Sequence, residues 1–228
     1  MRFRQKLIAV VAAAGLAGGV GVATAPVAGA EPEPAPAPPS LADVLLSDGD
    51  TFDTNAYDFD VVTQAVLAVL DAKPNSPVGA VTDGTIPATA FIPNDRAFWA
   101  LVGDLTGQYY GFLKVDEQKV FDAVASLGVD TVETVLLYHV VPGATIDSNT
   151  AANVPRNTPL DTALPGAQIR VRPIVPFLKW ISLNDNDPSD IDPFIVPSKF
   201  DINAGNPQIA HGIAFVLRPA DLEALLAG

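Results

Sequence analysis

An acidic loop holds the densest set of metal-ligating side chains in the sequence. Residues 184 to 192 read Asn-Asp-Asn-Asp-Pro-Ser-Asp-Ile-Asp, with carboxylates at Asp185, Asp187, Asp190 and Asp192. Alternating carboxylates of this kind are what a calcium loop needs, but the glycine at the sixth position and the glutamate at the twelfth are missing. Two interpretations stay open, a weak calcium site and a solvated acidic loop, and the missing residues favour the second.

The chain has two histidines, His139 and His211, and no cysteine. The two imidazoles could share a metal ion only if the fold brings them together, so we expect no dedicated transition-metal site and no cofactor. Tyr138, His139, Val140 and Val141 form an apolar segment that we interpret as a strand. This setting predicts a buried His139 that is hydrogen-bonded to the backbone.

Signatures of catalysis are missing from the sequence. It contains no G-x-S-x-G elbow, no H-E-x-x-H and no glycine-rich phosphate loop. The absence of cysteine removes thiolate nucleophiles, disulfides and cysteine lipidation. Spacing alone leaves a Ser/His/Asp arrangement open, so a hydrolase remains the least favoured alternative and we expect no enzymatic activity.

The N-terminus has the three parts of an export signal. Arg2, Arg4 and Lys6 precede an uncharged Ala/Gly/Val-rich stretch, which ends at Ala28-Gly29-Ala30. We predict a signal peptide at residues 1–30 that is cleaved after Ala30. The alternative is an uncleaved membrane anchor, since the apolar run approaches the ~20 residues that a span needs.

The chain beyond the leader is strongly acidic. Loss of the three basic residues leaves 10 Lys and Arg (13 − 3) against 26 Asp and Glu, a net charge of −16. Such a chain repels phosphate backbones, which disfavours nucleic-acid binding. We predict a Pro-rich linker at 31–40 and one domain at 41–226, secreted by a bacterium and either released or held at the cell wall, with no span in the mature form.

Periodicity predicts helices early in this domain and strands later, which indicates an α+β fold. The predicted helices are Leu41–Leu46 after Ser40, Asp60–Ala72, one from Asp95, Asp116–Leu127 before Gly128, and one from Asp130 with a capping box to Glu133. The predicted strands include Tyr138–Val141, one in which Ile169 and Val171 alternate with arginines, a short one at Phe200 and Ile202, and Ile213–Leu217.

Three ordered segments resemble the signatures of the fasciclin domain. Residues 89–98 read T-A-F-I-P-N-D-R-A-F, where a strand runs into Pro93 and Asn94 or Asp95 caps a helix. Residues 135–143 read V-L-L-Y-H-V-V-P-G, and residues 211–217 read H-G-I-A-F-V-L. The residues that carry the resemblance are Thr89, Phe91, Pro93, Asn94, Asp95, Phe98, Pro142, Gly143 and Gly212.

The chain also departs from the family pattern in two ways. In the third segment His211 stands in place of Asn, Phe215 in place of His and Arg218 in place of Asp. Residues 173–197 are interpreted as an insertion, and its apolar residues could line a groove: Ile174, Val175, Phe177, Leu178 and Trp180.

The resemblance implies a fasciclin-like β-sandwich wedge flanked by several α-helices. It also implies a secreted binding module for cell adhesion or surface contact, whose partner is an extracellular protein, the matrix or an envelope polysaccharide. A carrier of a small apolar ligand is the alternative, because some fasciclin-like proteins bind carotenoids.

The family's adhesion determinants fall on two segments of this chain. One is Leu136, Leu137, Tyr138 and His139, and the other is Asp221-Leu222. A buried strand could not touch a receptor, so we favour a structural role for the first segment. For the second segment we favour an ordinary first turn of a last helix, Ala220 to Leu226.

Overall fold

The computed structural model of the protein describes residues 36–47, 49, 51–107 and 116–220. The predicted signal peptide, the first half of the predicted linker and Asp221-Leu222 lie outside these residues. Among the described residues, no helix is long and apolar enough to cross a membrane.

Six α-helices lie in the described residues, and most match the predicted periodicity. They are α1 Leu41–Leu46, α2 Asp60–Ala72, α3 Asp95–Thr106, α4 Glu117–Ala125, α5 Val129–Tyr138 and α6 Ser148–Asn153. Shorter 3-10 turns span Pro77–Thr82, Pro176–Leu178 and Pro197–Lys199.

Side-chain caps explain where several of these helices begin. Ser40 and Asp43 form a capping box at α1, and Asn94 Oδ1 accepts a hydrogen bond from the Ala97 amide at 2.9 Å to cap α3. Asp95 caps a different helix, because its carboxylate accepts hydrogen bonds from the amides of Asp60 and Val61 at the start of α2. The Asn94-Asp95 pair therefore fixes two helix starts at once.

Two predicted helix ends were wrong. α4 ends at Ala125, and Gly128, at φ +86°, precedes α5 instead of terminating α4. The predicted capping box between Asp130 and Glu133 does not form. Both carboxylates instead contact Nζ of Lys73, at the end of α2. A long-range ion pair thus takes the place of the local cap.

The strands form two three-stranded sheets. Their bounds are β1 Ala88–Pro93, β2 Val140–Pro142, β3 Thr158–Asp161, β4 Gln168–Val175, β5 Trp180–Asn184 and β6 Gln208–Ile213. The first sheet has the order β2-β1-β6, with β1 antiparallel to β2 and parallel to β6. The second is the antiparallel meander β3-β4-β5.

Two strand predictions were wrong and a third was only partly right. Tyr138 is the last residue of α5 and His139 is its C-cap, so the strand begins at Val140. The last strand ends at Ile213, and Phe215 and Leu217 lie in the irregular segment after it. Ile202 makes only an isolated bridge to Ala210.

Two buried clusters form the core, and β1 contributes to both. Ala88, Ala90 and Ile92 face a cluster formed largely by the helices. Phe91 points the other way, because successive strand side chains alternate, and joins residues of both sheets. The α+β class is therefore confirmed, with one core between helices and a sheet and the other shared by the two sheets.

Candidate functional site

The segment from Leu136 to His139 lies in the interior of the protein. Tyr138 is 0% exposed and His139 is 5% exposed, and the two leucines are also buried. The Tyr138 hydroxyl donates a hydrogen bond to the Gln168 carbonyl at 2.9 Å, and burial raises its pKa. These four side chains face the core, where a receptor could not reach them.

His139 connects the end of α5 to the last described segment. Its Nδ1 lies 2.7 Å from the Val135 carbonyl oxygen, and its Nε2 accepts a hydrogen bond from the Leu217 amide at 2.9 Å. The pair of contacts requires the neutral tautomer with the proton on Nδ1. Burial lowers the pKa of His139 to about 4, so the ring stays neutral at physiological pH.

His211 belongs to a separate polar chain. Its Nε2 lies 2.8 Å from the Ile146 carbonyl oxygen, and its Nδ1 accepts a hydrogen bond from the Asp201 amide at 3.3 Å. The Asp201 carboxylate is hydrogen-bonded to the hydroxyl of Ser148, which is fully buried. The carboxylate, not the imidazole, contacts the hydroxyl, so this arrangement lacks the serine–histidine contact of a hydrolase triad.

The acidic loop is organised around an arginine side chain. The Arg218 guanidinium lies 3.0 Å from the Asp190 carboxylate and 3.5 Å from that of Asp187, and it donates to Asp104 at 2.6 Å. The Arg218 amide donates to Asp185 Oδ2 at 2.7 Å. The fourth carboxylate, Asp192, accepts from the Asn184 amide group. A guanidinium thus takes the position that a bound cation would occupy in the calcium interpretation.

Burial governs the ionisation of this loop. Burial first, and then the charges of neighbouring carboxylates, raise the pKa of Asp185 to about 6 and that of Asp190 to about 7. Burial also opposes ionisation of Asp187, but hydrogen bonds from Ser189 and the charge of Arg218 outweigh it and lower that pKa. Asp187 is therefore the firm anionic partner of Arg218.

The other fold-signature residues stabilise the turns around the first sheet. Thr89 Oγ1 donates to the Ala144 carbonyl and accepts from the Ile146 amide, which fixes the chain after the exposed Pro142 and the left-handed Gly143. Phe98 is buried, and Pro93 still pairs with Ile213 at the end of β1. A Cβ added to Gly212 would lie 2.6 Å from Lys199 Cβ, so only glycine fits there.

Exposed apolar side chains concentrate at the tip of the β4–β5 hairpin. Phe177 is 85% exposed, Leu178 59% and Trp180 54%, and Ile174 is also exposed. Lys179 turns the chain in the left-handed conformation, at φ +52°, and its Nζ donates to Ser148 Oγ at 2.8 Å. The tip is therefore held against α6. These side chains are exposed at the turn, and none of them lines the groove described next.

A groove does exist, but its walls differ from those predicted. α3 contributes Trp99 and Ala100 to its lining, the segment after β5 contributes Ile191 and Phe194, and the segment after β6 contributes Phe215. The groove has a volume of about 820 Å³. The Phe194 and Phe215 rings meet edge-on at 6.1 Å. Its place between distant segments is why sequence reasoning missed it.

Comparison with solved structures identifies the fold. The chain is similar to a FAS1 domain pair from the insect cell adhesion molecule fasciclin I, with a TM-score of 0.51 and 14% identity. The likeness covers 79% of this chain and 51% of that one, so this chain spans about half the length of the domain pair. The fold is therefore fasciclin-like, as the three sequence segments predicted. Comparison with family models and with curated proteins gives no match.

Proposed function

We propose that this protein is a secreted, non-enzymatic binding module that contacts extracellular partners through the tip of the β4–β5 hairpin. The observation that carries the proposal is the concentration of Phe177, Leu178 and Trp180 at an outward-facing turn. Contiguous exposed apolar patches on folded proteins mark interaction sites, and aromatic residues dominate binding energy at interfaces. The fasciclin-like fold and the predicted export signal support a role outside the cell.

The anchoring of the tip fits a preorganised binding surface. The Lys179 ammonium is hydrogen-bonded to Ser148, and Ser148 is hydrogen-bonded to Asp201. The turn is therefore already ordered, so binding a partner costs it little conformational entropy. The broad, flat faces of Phe177 and Trp180 can pack on an apolar protein surface or on the ring of an envelope or matrix polysaccharide.

Substitutions at the tip test this proposal. The doubly substituted Phe177→Ser/Trp180→Ser chain is compared with the unsubstituted chain for retention on envelope, matrix-protein and polysaccharide fractions. We expect at least a tenfold loss of binding with an unchanged melting temperature, because both side chains are exposed. A Leu67→Ser/Ile86→Ser chain is the matched control, since both of these side chains are exposed elsewhere. Equal retention of all three chains would contradict the proposal.

Asp221 and Leu222 belong in the same assay. They are the second pair of adhesion candidates that the family resemblance assigns, and replacing them with Asn and Ser measures their share of binding. A loss in this variant with none in the tip variant would move the contact surface to the C-terminus.

The groove beside Trp99 supports a second candidate function, a carrier of a small apolar ligand. Its volume of about 820 Å³ lies within the ~300–1,000 Å³ of small-molecule sites, and Ile191, Phe194 and Phe215 give it an apolar lining. Native mass spectrometry of the protein secreted by its own host tests this function. A bound apolar molecule that is lost on Phe194→Asp would support the carrier, and a spectrum of the bare chain would count against it.

A further inference from the structure

Three carboxylates from two distant segments converge beside the start of α4. Asp53 and Asp58 lie in the loop before α2, and Glu117 is in the first turn of α4. One oxygen from each lies within 4.8 Å of the others. These residues are separate from the acidic loop at Asp185–Asp192 and do not feature in the fasciclin resemblance.

Two of these carboxylates are buried and incompletely satisfied. Asp58 is 6% exposed and Glu117 is 1% exposed, yet Asp58 Oδ1 and Glu117 Oε1 have no hydrogen-bond partner among the described residues. The other Glu117 oxygen accepts a hydrogen bond from the Asp53 amide at 2.6 Å, which holds this side chain beside Asp53. A buried acceptor without a partner destabilises a fold, so these two oxygens indicate a missing ligand.

The cluster is composed of acidic groups, whose negative charge a bound cation would neutralise. Asp60 and Asp95 add further carboxyl groups beside these three. Asp53 is exposed, so the cluster has an open side through which a hydrated ion can enter.

We propose that Asp53, Asp58 and Glu117 form a binding site for a divalent cation, and that this cation is Ca²⁺. All three ligands are carboxylate oxygens, which hard cations prefer and which soft transition metals do not. Oxygens on one Ca²⁺ ion lie ~2.3–2.6 Å from it and hence up to about 5 Å apart, which matches the observed spread. Mg²⁺ requires shorter bonds and stricter octahedral geometry than a loop and a helix end supply.

A bound ion at this place would join three parts of the fold. It would tie the loop around Asp58 to α4, where Phe52 already packs on Phe121 with ring centroids 5.6 Å apart. The Asp58 carbonyl also accepts a hydrogen bond from the Asp95 amide at the start of α3. Because the ligands converge only in the folded chain, Ca²⁺ stabilises the native state by mass action.

Titration of the chelator-treated full chain with CaCl₂ tests the site directly. We expect one Ca²⁺ per chain by calorimetry, with a dissociation constant of about 10⁻⁴–10⁻³ M, as in extracellular calcium modules. We also expect a rise in melting temperature of roughly 5 °C at saturation, and less than half of that with MgCl₂ at equal concentration. No heat and no shift at about 10 mM CaCl₂, well above that range, would overturn the proposal.

Conservative amide substitutions locate the ion. Glu117→Gln should abolish the calcium-dependent shift without lowering the melting temperature of the ion-free chain, because the amide removes a buried charge. Asp53→Asn changes an exposed side chain, so it preserves the fold even if Glu117→Gln does not, and it should weaken binding about tenfold. Asp192→Asn is the matched control in the other acidic segment. Unchanged binding in Asp53→Asn, or equal weakening in Asp192→Asn, would refute this site.

Discussion

The sequence predicted the burial of His139 but could not identify both of its hydrogen-bond partners. Its apolar neighbours predicted burial, and the structure confirms that. Its two ring nitrogens join the Val135 carbonyl, one helical turn back, to the amide of Leu217, 78 residues further along the chain. The second partner lies beyond any local pattern, so sequence could not identify it.

The burial of His139 makes stability depend on pH. Its folded pKa is about 4, below the ordinary value of 6.5, so the unfolded chain binds the extra proton between these values. Its contribution is complete above pH 6.5 and is lost as the pH falls toward 4, by on the order of 3 kcal/mol. Urea unfolding of the wild type and of His139→Gln at pH 7 and pH 4.5 measures this difference.

The comparison with His139→Gln is needed because other titratable groups change the free energy of unfolding with pH in the opposite direction. Asp185 and Asp190 have raised pKa values, so they favour the folded state as the pH falls. Glutamine offers one acceptor and one donor but does not titrate. We expect the wild type to lose more stability than the variant between the two pH values, and parallel losses would contradict the assignment.

Gly212 leads to a second prediction at this scale. An added methyl group would lie 2.6 Å from Lys199 Cβ and 3.2 Å from the Phe59 ring. We expect Gly212→Ala to lower the free energy of unfolding by about 2 kcal/mol through overpacking. Gly79→Ala is the control, because its methyl would meet Leu70 at an ordinary 3.6 Å. Equal thermal stability of the two variants would contradict this account.

At the scale of elements, two residues near the C-terminus contact the same segment, which lies within the predicted insertion. Phe215 packs on Phe194 of this segment. Arg218 contacts Asp187 and Asp190 of the same segment. The two positions at which the sequence resemblance predicts a departure from the fasciclin pattern therefore act together, which neither position viewed alone would indicate.

Helices with a clear apolar periodicity or a clear start signal were predicted correctly from the sequence, and uniformly buried segments were not. The stripe from Val62 to Leu70 fixed α2 to the residue, and the Pro93-Asn94 step fixed the start of α3. The segment from Leu136 to Val141 is buried throughout, so a helix end and a strand are indistinguishable there by pattern. The groove and the Asp53–Glu117 cluster join segments far apart in sequence, and no local spacing rule describes them.

Loss of the arginine side chain should release the segment at residues 184–196. Arg218→Met leaves Asp187 and Asp190 buried without their cation, and we expect a loss of about 3 kcal/mol in the free energy of unfolding. Amide hydrogen exchange should rise in residues 184–196 before it rises in the first sheet. Arg156→Met, at an exposed position, is the control. Uniform exchange across the chain would argue against a local role.

At the scale of the whole molecule, the two candidate binding surfaces each contain one tryptophan. The chain has two in total, Trp99 in the groove and Trp180 at the hairpin tip. Trp99 is buried and Trp180 is half exposed, so their emission and their quenching by iodide differ before any ligand is added. Fluorescence can therefore assign a binding event to one surface without a structure of the complex.

Single-tryptophan chains turn this difference into a test of the two functions. In Trp99→Phe, an adhesion partner bound at the tip should shift the Trp180 emission to shorter wavelength and protect it from iodide. In Trp180→Phe, the same partner should leave the Trp99 emission unchanged, because the groove is not its contact surface. A small apolar ligand in the groove should give the reverse pattern, with quenching of Trp99 alone. Adhesion through the hairpin would be contradicted if the partner that binds the native chain perturbs only Trp99.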